Sequence, residues 1–308
     1  MKHYNDYSSY LRNHFTHRMQ KIAIHAGFSC PNRDGKVGRG GCTYCNNQTF
    51  NPEYCTPTKS ITQQMDEGIE FFRKKYPDQR YLAYFQAYTN TYGSLDSLKA
   101  KYEEALRHPL VEGIVIGTRP DCVDTPLLDY LQELSSHHYV MMEYGVESTF
   151  DSTLQRINRG HDYATATEAI IQTAQRGIET NAHLILGLPL ESDEMILSHA
   201  DRISQLPLTA IKLHQLQLIK GTVMAQQFAD HPEWFHLFTA DEYIRLLGDF
   251  IERLNPDFVI ERFISQSPKE LLLNINWGLK NFEFTARLDK FLEKEGIFQG
   301  NKFIHNHK

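Results

Sequence analysis

Residues 21–45 read KIAIHAGFSCPNRDGKVGRGGCTYC, a short apolar run that leads directly into a glycine-rich loop with three cysteines. The β-branched run 21–25 predicts a strand that is buried on both faces. The loop therefore starts at the carboxyl end of a strand, where α/β folds place their catalytic loops. Within it, eleven residues separate Cys30 from Cys42 and two separate Cys42 from Cys45. This spacing predicts a metal centre held by one distant cysteine and a close pair.

The same alternation of strand and helix recurs along the chain. Further strand-like runs occupy 81–87, 113–117, 140–146, 183–188 and 210–218. Helical patterns lie between them, at 60–76, 94–108, 124–134, 163–176 and 192–206. In the first of these helices Ile61, Met65, Ile69 and Phe72 share one face, and Ser60 stands at the N-cap position. Strands that alternate with amphipathic helices require parallel pairing through right-handed crossovers.

Six such units predict an α/β fold with a curved parallel sheet. The sheet is either a doubly wound layer or most of a (β/α) barrel, and periodicity does not separate the two. After about residue 222 the alternation ends, and helices surround a single strand-like run at 258–264. We expect an N-terminal extension over 1–20, the α/β region over 21–222, and a small, mostly helical C-terminal extension over 223–308.

Composition narrows the class of protein. The 308 residues are enough for one large core, and the opening residues contain no continuous apolar run typical of a signal peptide or membrane anchor. We therefore expect a cytoplasmic protein without a membrane partner. Three of the five cysteines fall in one short segment, which favours a metal site in a reducing compartment over a disulfide framework. The formal charge of -6 weighs against non-specific binding to polyanions, but it does not decide nucleic-acid binding.

The cysteine loop has two interpretations. Thiolates ligate [4Fe-4S] clusters, and Cys30, Cys42 and Cys45 would bind three irons and leave the fourth open. Alternatively, these three cysteines and Cys55 would form a structural zinc site, although zinc ribbons normally offer two C-x-x-C pairs and Cys55 stands alone. Free cysteines are often buried, so Cys55 and Cys122 are expected to be packing residues.

Six further strings accompany the cysteine loop. They are FQAYTNTY at 85–92, GTRPD at 117–121, YGVES at 144–148, NRGH at 158–161, HLILGLP at 183–189 and KLH at 212–214. With the aromatic residue before the last cysteine, this set resembles the radical S-adenosylmethionine (radical SAM) superfamily. The long first cysteine gap departs from the commonest C-x3-C-x2-C spacing and is similar to the branch related to the Elongator catalytic subunit. Nearly the whole chain resembles a small bacterial family of Elongator-like radical SAM proteins.

The resemblance implies a partial (β/α)6 TIM-type barrel with the cluster at the carboxyl mouth of its strands. It further implies that S-adenosylmethionine binds the open iron and that one electron, from flavodoxin or ferredoxin, cleaves it to a 5'-deoxyadenosyl radical that abstracts hydrogen. The implied substrate is tRNA, modified on the side chain of a wobble uridine. Oxygen-independent coproporphyrinogen oxidases share the strand-four string, so a small-molecule or porphyrin-type substrate is the alternative. A zinc-stabilised, non-catalytic nucleic-acid-binding module is the alternative outside enzymes.

The resemblance also assigns residues to the cofactor. Tyr44 lies where superfamily members place an aromatic residue near the adenine. Glu147, supplemented by Ser148, ends strand four and would accept from the ribose hydroxyls, and the Arg159 fork matches the methionine carboxylate. Relatives bind the amino group at the end of strand two through a Gly-Gly-Glu-like segment, a triplet that this sequence lacks. The residues at that position are Gln86, Tyr88 and Thr89.

Several ionisable residues are expected at the mouth or interior of the barrel as substrate or supporting groups. They are Arg119, Asp121, His183, Lys212, His214 and Lys220. A polar interior suits a charged substrate better than a lipid. Basic residues late in the chain are candidates for contacting tRNA phosphates, namely Lys269, Lys280, Arg287, Lys290 and Lys302. No residue is assigned to the reacting atoms themselves.

Overall fold

The computed structural model describes residues 2–46, 49, 51–273 and 277–304. Parts of the predicted C-terminal extension, 274–276 and 305–308, thus lie outside the described residues. The strands are β1 (Met19–Ile24), β2 (Arg80–Phe85), β3 (Val111–Thr118), β4 (Tyr139–Glu147), β5 (Glu179–Leu186), β6 (Ala210–Gln215) and β7 (Val259–Arg262).

The helices lie between these strands and at both ends of the series. They are α1 (Tyr7–His14), α2 (Pro31–Asp34), α3 (Ile61–Arg73), α4 (Leu95–Leu106), α5 (Thr125–Ser135), α6 (Asp151–Arg156), α7 (Tyr163–Gln175), α8 (Asp193–Ile203), α9 (Val223–Asp230), α10 (Ala240–Arg253) and α11 (Asn281–Glu295). Short 3-10 turns occur at Pro120–Cys122 and Pro232–Trp234. Within the described ranges, no helix combines the length and apolar character needed to span a bilayer.

All seven strands form one parallel sheet in which the spatial order is the chain order, β1 to β7. Each crossover therefore steps to the next strand in the same direction. Right-handed crossovers then place the connecting helices on one face, and the sheet curls around its other face. A doubly wound fold would reverse its strand order at a switch point, which this sheet lacks in the part of the chain described. The predicted α/β partial barrel is confirmed.

The sheet has one strand more than predicted. The run 258–264, which the sequence analysis assigns to the C-terminal extension, forms β7 and pairs in parallel with β6. A long connection from residue 216 to 258, with α9 and α10 inside it, hides this last strand–helix–strand unit from a search for regular spacing. The domain boundary at residue 222 stays a prediction.

Helix α3 illustrates how the outer core forms. Ser60 caps its amino end through the amide of Gln63, and the Gln63 side chain returns to the Ser60 amide, which completes a capping box. Ile61, Met65 and Ile69, spaced by four residues, are buried against the outer face of the sheet. The predicted N-cap and buried face are therefore confirmed.

The inner face of the sheet is apolar only near the amino ends of the strands. Met19, Leu82, Met141 and Val259 form a small buried cluster there, and aromatic side chains of α1, including Tyr7, pack against it. The segment before α1 pairs with β7 through an Ile260 N–H bond to the Asn5 carbonyl. Helix α1 thus covers the half-barrel at the amino ends of the strands. The open end lies at the carboxyl ends of the strands.

Gly113 is required where β3 passes β4. A Cβ at this position would lie 2.1 Å from the Tyr139 carbonyl oxygen and 2.6 Å from the Tyr139 Cβ. Because the nearest atom belongs to the backbone of a central strand, Gly113→Ala is expected to lower the free energy of unfolding by about 1–3 kcal/mol. Denaturant titration measures the loss. The control is Gly93→Ala, whose Cβ would find its nearest neighbours at 3.6 Å, and an equal loss in both variants would contradict the prediction.

Candidate active site at the carboxyl ends of the strands

The cysteine loop follows β1 and is fixed at both ends. Cys30 precedes α2, and its carbonyl accepts from the amides of Arg33 at 2.8 Å and Asp34 at 3.2 Å. Both halves of the loop are bonded to the segment after α6. Asn32 Nδ2 donates to the Asn158 carbonyl at 2.6 Å, and the Thr43 amide donates to the Ile157 carbonyl at 2.9 Å. These bonds hold the two halves of the loop over the ends of the strands.

Cys30, Cys42 and Cys45 line one cavity of about 250 Å³. Burial and the neighbouring Cys42 raise the pKa of the Cys45 thiol to about 11, and Cys30 contributes to the rise while Arg33 opposes it. Cys42 and Cys30 therefore both lie near Cys45, as the ligands of one cluster must.

Cys55 and Cys122 lie apart from this cavity lining. Burial raises the pKa of the Cys55 thiol to about 12, and a backbone hydrogen bond from His25 opposes this rise. Cys122 is half-buried, with its thiol 3.8 Å from Asp121 Oδ1. Cys30 is near enough to Cys122 to contribute to the rise of its pKa, but neither Cys55 nor Cys122 lines the cavity of the loop cysteines.

Among the residues that the structure describes, no three or more His, Cys, Asp or Glu side chains converge as ligands of one metal ion. A structural zinc site needs four such ligands around a single point. The thiolates of a [4Fe-4S] cluster instead bind different irons of one cluster, so they surround a cavity and do not meet at a single point. Three thiols that line one cavity are a donor set that fits such a cluster.

Tyr44, Glu147 and Arg159 meet next to the cysteines. Arg159 Nη1 lies 3.5 Å from Cys42 Sγ, and Arg159 Nη2 lies 3.7 Å from Glu147 Oε1 and bonds to the Gly145 carbonyl. Burial would lower the pKa of Arg159, but Tyr44 and Cys42 outweigh it and raise the pKa well above its usual value. The Nε of this guanidinium is buried and has no hydrogen-bond partner among the residues that the structure describes. Arg159 is thus a charged group in the cavity wall, and its Nε–H is able to donate a further hydrogen bond.

Two residues at this site have a left-handed backbone. Tyr88 has φ 63° and Glu147 has φ 69°, and residues other than glycine rarely adopt this region of backbone conformation. Such strain persists where the surroundings impose it, and it concentrates at functional sites. Gly145 contributes to the packing here, because a Cβ on it would lie 2.5 Å from Glu147 Oε1 and 2.6 Å from Arg159 Nη2.

The predicted residues after β2 also reach the cavity. Gln86, Tyr88 and Thr89 all line it. The Thr89 amide donates to the Ser29 carbonyl at 3.2 Å, which joins this segment to the cysteine loop. The Tyr88 ring lies 5.7 Å from the Arg33 guanidinium. The structure therefore brings the strand-two segment and the cysteines together. This segment forms part of the cavity wall although it lacks a Gly-Gly-Glu triplet.

Ser148 is not brought into this cavity lining. Its hydroxyl donates to Glu191 Oε1 at 2.6 Å and accepts from the Phe150 amide at 3.1 Å. Glu191 in turn lies 3.3 Å from His199, and all of these groups are buried. The ribose role of Ser148 stays a prediction, whereas its observed bonds fix the turn that carries Glu147.

The predicted substrate residues divide into groups. Arg119 lines the cavity, but both of its bonds to Asp121 measure 2.8 Å, so its charge is already paired. Burial would raise the pKa of Asp121, yet Arg119 holds it below the usual value. Of the others, His183 and His214 line the cavity, with ring centroids 5.3 Å apart. Lys220 is exposed and does not line it.

Lys212 and His183, both predicted at the mouth or interior of the barrel, belong to a buried polar group whose other members the sequence did not reveal. We call this group the interior ionic layer, and it comprises Lys21, Tyr84, Glu143, Asn181, His183, Lys212 and Glu261. Glu143 lies 2.9 Å from Lys212 Nζ, 3.5 Å from Lys21 Nζ and 2.7 Å from His183 Nε2. Burial would raise the pKa of Glu143, but Lys212, His183 and Lys21 hold it well below the usual value.

A signal for this layer exists in the sequence. Lys21, Glu143, Asn181 and Lys212 each stand inside a strand, two positions away from residues of the inner apolar cluster or of the cavity. Alternating side chains of a strand point to opposite faces, so these positions share the inner face. This pattern was not recognised because the strands were predicted from their apolar residues to be buried on both faces.

Two family models and two bacterial relatives match this chain over most of its length. The model of the Radical SAM superfamily matches residues 34–203, and that of the Radical_SAM C-terminal domain matches 208–294. The protein YtqA of Bacillus subtilis is 35% identical over 302 residues, which cover 98% of this chain and 93% of that protein. YhcC of Escherichia coli K12 is 35% identical over 295 residues, 95% of this chain and 93% of that protein.

A solved structure shares the fold. The archaeal Elp3 of Methanocaldococcus infernus, with a deleted N-terminus, superposes with a TM-score of 0.66 and 16% identity. The match covers 91% of this chain and 64% of that one, and at this identity it shows the fold alone. The superfamily model covers more than half of the residues, and the relatives align over nearly the full length. The chain therefore belongs to the radical SAM superfamily.

Proposed function

We propose that this protein is a radical SAM enzyme that reductively cleaves S-adenosylmethionine and modifies a wobble uridine in tRNA. The observation that carries the chemistry is the convergence of three loop cysteines with Tyr44, Glu147 and Arg159 around one cavity. Membership of the radical SAM superfamily supports the interpretation of these residues as the site for a cluster and S-adenosylmethionine. The cytoplasm, where thiols stay reduced, suits such a site.

In this proposal the loop cysteines hold a [4Fe-4S] cluster, and S-adenosylmethionine bound beside it supplies a 5'-deoxyadenosyl radical when one electron arrives. Arg159 binds the cofactor carboxylate, because a charged guanidinium matches that group. Glu147 accepts from the ribose hydroxyls, Tyr44 offers a face to the adenine, and the segment after β2 binds the amino group. The protein thus orients the cofactor and excludes water, and the cofactors carry the difficult chemistry.

The electron comes from a carrier protein such as flavodoxin or ferredoxin. Cys30 and Cys45 are half-buried, and the loop between the first two cysteines is exposed over most of its length, including Arg33, Lys36 and Arg39. This exposure supports a route for the electron that does not pass through the substrate cavity.

A distant relative supports tRNA as the substrate. The tRNA uridine(34) acetyltransferase of Methanocaldococcus infernus is 22% identical over 205 residues, which cover 64% of this chain and 36% of that protein. The late basic residues give less support. Arg287, Lys290 and Lys302 line a surface groove, but acidic residues line it too, and Lys302 is paired with Glu252. Binding of tRNA phosphates by this groove stays a prediction.

The tRNA nucleoside profile tests the substrate. Cells without the gene are expected to lose at least one modified uridine from bulk tRNA, and the wild-type gene is expected to restore it. Mass spectrometry of digested tRNA measures the change. A gene encoding Cys42→Ala serves as the matched control and should fail to restore the nucleoside. Identical profiles with and without the gene would reject tRNA and favour the small-molecule or porphyrin-type alternative.

A further inference from the structure

The proposed function leaves one wall of the cavity without a role in holding the cofactor. It is formed by the carboxyl ends of β6 and β7, which lie toward the opposite edge of the sheet from β1 and its cysteine loop. The polar residues that line it are His214, Gln215, Gln217, Arg262, Ser265 and Ser267. We call it the β6–β7 wall.

The β6–β7 wall is held rigid by bonds between its own members. Gln215 Nε2 donates to the Ser265 carbonyl at 2.9 Å, and the Ser265 amide returns a bond to Gln215 Oε1 at 2.9 Å. Gln217 Nε2 donates to the same carbonyl at 3.1 Å, and the Ser267 hydroxyl donates to Gln217 Oε1 at 2.6 Å. A wall that is fixed before the ligand arrives binds it at a lower entropic cost.

Arg262 is the charged residue of this wall. Its Nη2 lies 2.7 Å from His214 Nε2, and its buried Nε has no hydrogen-bond partner in the described part of the chain. Across the described ranges Arg262 makes no ion pair with a carboxylate. In this respect it differs from Arg119, which Asp121 neutralises, and from Lys212, which lies between Glu143 and Glu261.

The histidine does not neutralise this charge. Burial, Arg262 and His183 lower the pKa of His214 well below its usual value, so the imidazole is neutral and accepts a hydrogen bond from the guanidinium. The cationic Lys212 is also near enough to lower the His214 pKa. A partly buried cation in such surroundings is normally paired, and an anion in the cavity would complete the pairing.

We propose that Arg262, positioned by His214, binds a carboxylate of the substrate. The inference rests on the proposed function and specifies it further: the reacting uridine carries a carboxylate on its base side chain. A guanidinium fork matches the planar carboxylate. Backbone phosphates of RNA would match its charge too, so a nucleoside monophosphate is the control that distinguishes the two anions.

Binding of two matched nucleosides tests this proposal. Uridine with a carboxymethyl side chain on the base and uridine with a carbamoylmethyl side chain have nearly the same shape, but only the first carries a negative charge and only the second donates hydrogen bonds from this group. Equilibrium dialysis against anaerobic holoenzyme with S-adenosylmethionine is expected to show that the carboxylate binds about ten- to a hundredfold more tightly. In Arg262→Gln the two nucleosides should bind equally, and Arg262→Lys should keep part of the difference.

Three controls make the test decisive. Arg245→Gln removes one charge from an exposed position on α10 and should keep the full preference for the carboxylate. The iron content and affinity for S-adenosylmethionine of Arg262→Gln should match the wild type, which separates a substrate role from misfolding. Uridine 5'-monophosphate reports on phosphate binding, and a preference for it that depends on Arg262, with no preference for the carboxylate, would overturn the proposal.

The outcome is independent of the tRNA nucleoside profile, because it needs no turnover. Failure of both nucleosides to bind, or a carboxylate preference that survives in Arg262→Gln, overturns the assignment of Arg262 even where the profile supports tRNA modification. Conversely, an unchanged profile with an Arg262-dependent preference rejects tRNA and keeps the carboxylate site.

Discussion

Replacing any one of Cys30, Cys42 or Cys45 by Ala is expected to abolish assembly of the iron-sulfur cluster. Each thiolate would bind a different iron, so the loss of one leaves two irons without a protein ligand. The three side chains already share one cavity and one electrostatic environment. Iron and sulfide content after anaerobic reconstitution, with circular dichroism to verify folding, measures the effect.

The other two cysteines provide the matched controls. Cys55→Ala and Cys122→Ala should keep wild-type iron content, because neither side chain lines the cavity of the loop cysteines. If Cys55→Ala loses the metal as completely as Cys42→Ala does, the site is a four-cysteine site and the assignment of the cofactors is wrong.

Arg159→Ala and Glu147→Ala are expected to weaken binding of S-adenosylmethionine while the cluster remains. Hydrogen bonds to charged groups contribute about 1.5–3 kcal/mol each, which corresponds to a loss of affinity of about ten- to a hundredfold. Reductive cleavage at low cofactor concentration should fall by a similar factor. Equilibrium dialysis and the yield of 5'-deoxyadenosine measure the two effects.

Glu147→Gln separates charge from shape at this position. The amide still accepts a hydrogen bond from a ribose hydroxyl, so Glu147→Gln should bind the cofactor better than Glu147→Ala. Arg245→Ala, on the exposed face of α10, is the control for loss of an arginine and should behave as wild type. Wild-type affinity in both Arg159→Ala and Glu147→Ala would remove these residues from the site.

Periodicity in the sequence predicted most of the fold. The strand-like run 140–146 corresponds to β4 (Tyr139–Glu147), and the helical pattern 163–176 corresponds to α7 (Tyr163–Gln175). Such segments are visible because burial of one face or both imposes a period on apolar residues. Strand β7 was assigned to a separate extension because the connection before it is long and irregular, and pairing between strands leaves no local pattern.

Within the site, the resemblance to the radical SAM superfamily supplied the cofactor residues. The cysteines and Tyr44 follow β1, Gln86 follows β2, and Glu147 and Arg159 lie at and after the end of β4, so parallel pairing brings their side chains to one cavity. The direction of individual side chains was less accessible. Ser148 follows a residue with φ 69° and a register shift between β4 and β5, so the simple alternation of faces fails there and the hydroxyl meets Glu191.

The carboxylates inside the barrel, Glu143 and Glu261, were also hard to predict. Glu143 is favourable there only because Lys21, Lys212 and His183, on three other strands, surround it. No single strand contains this arrangement, since it depends on the curvature of the sheet and on the pairing register. Buried charges of this kind are expected only where partners are present, and those partners are far apart in the sequence.

Anaerobic incubation of the reduced protein with S-adenosylmethionine tests the central claim most directly. The account predicts a brown protein that forms 5'-deoxyadenosine and methionine, and a Cys42→Ala variant that forms neither above the level without protein. A colourless wild-type protein with stoichiometric zinc and no 5'-deoxyadenosine would contradict it.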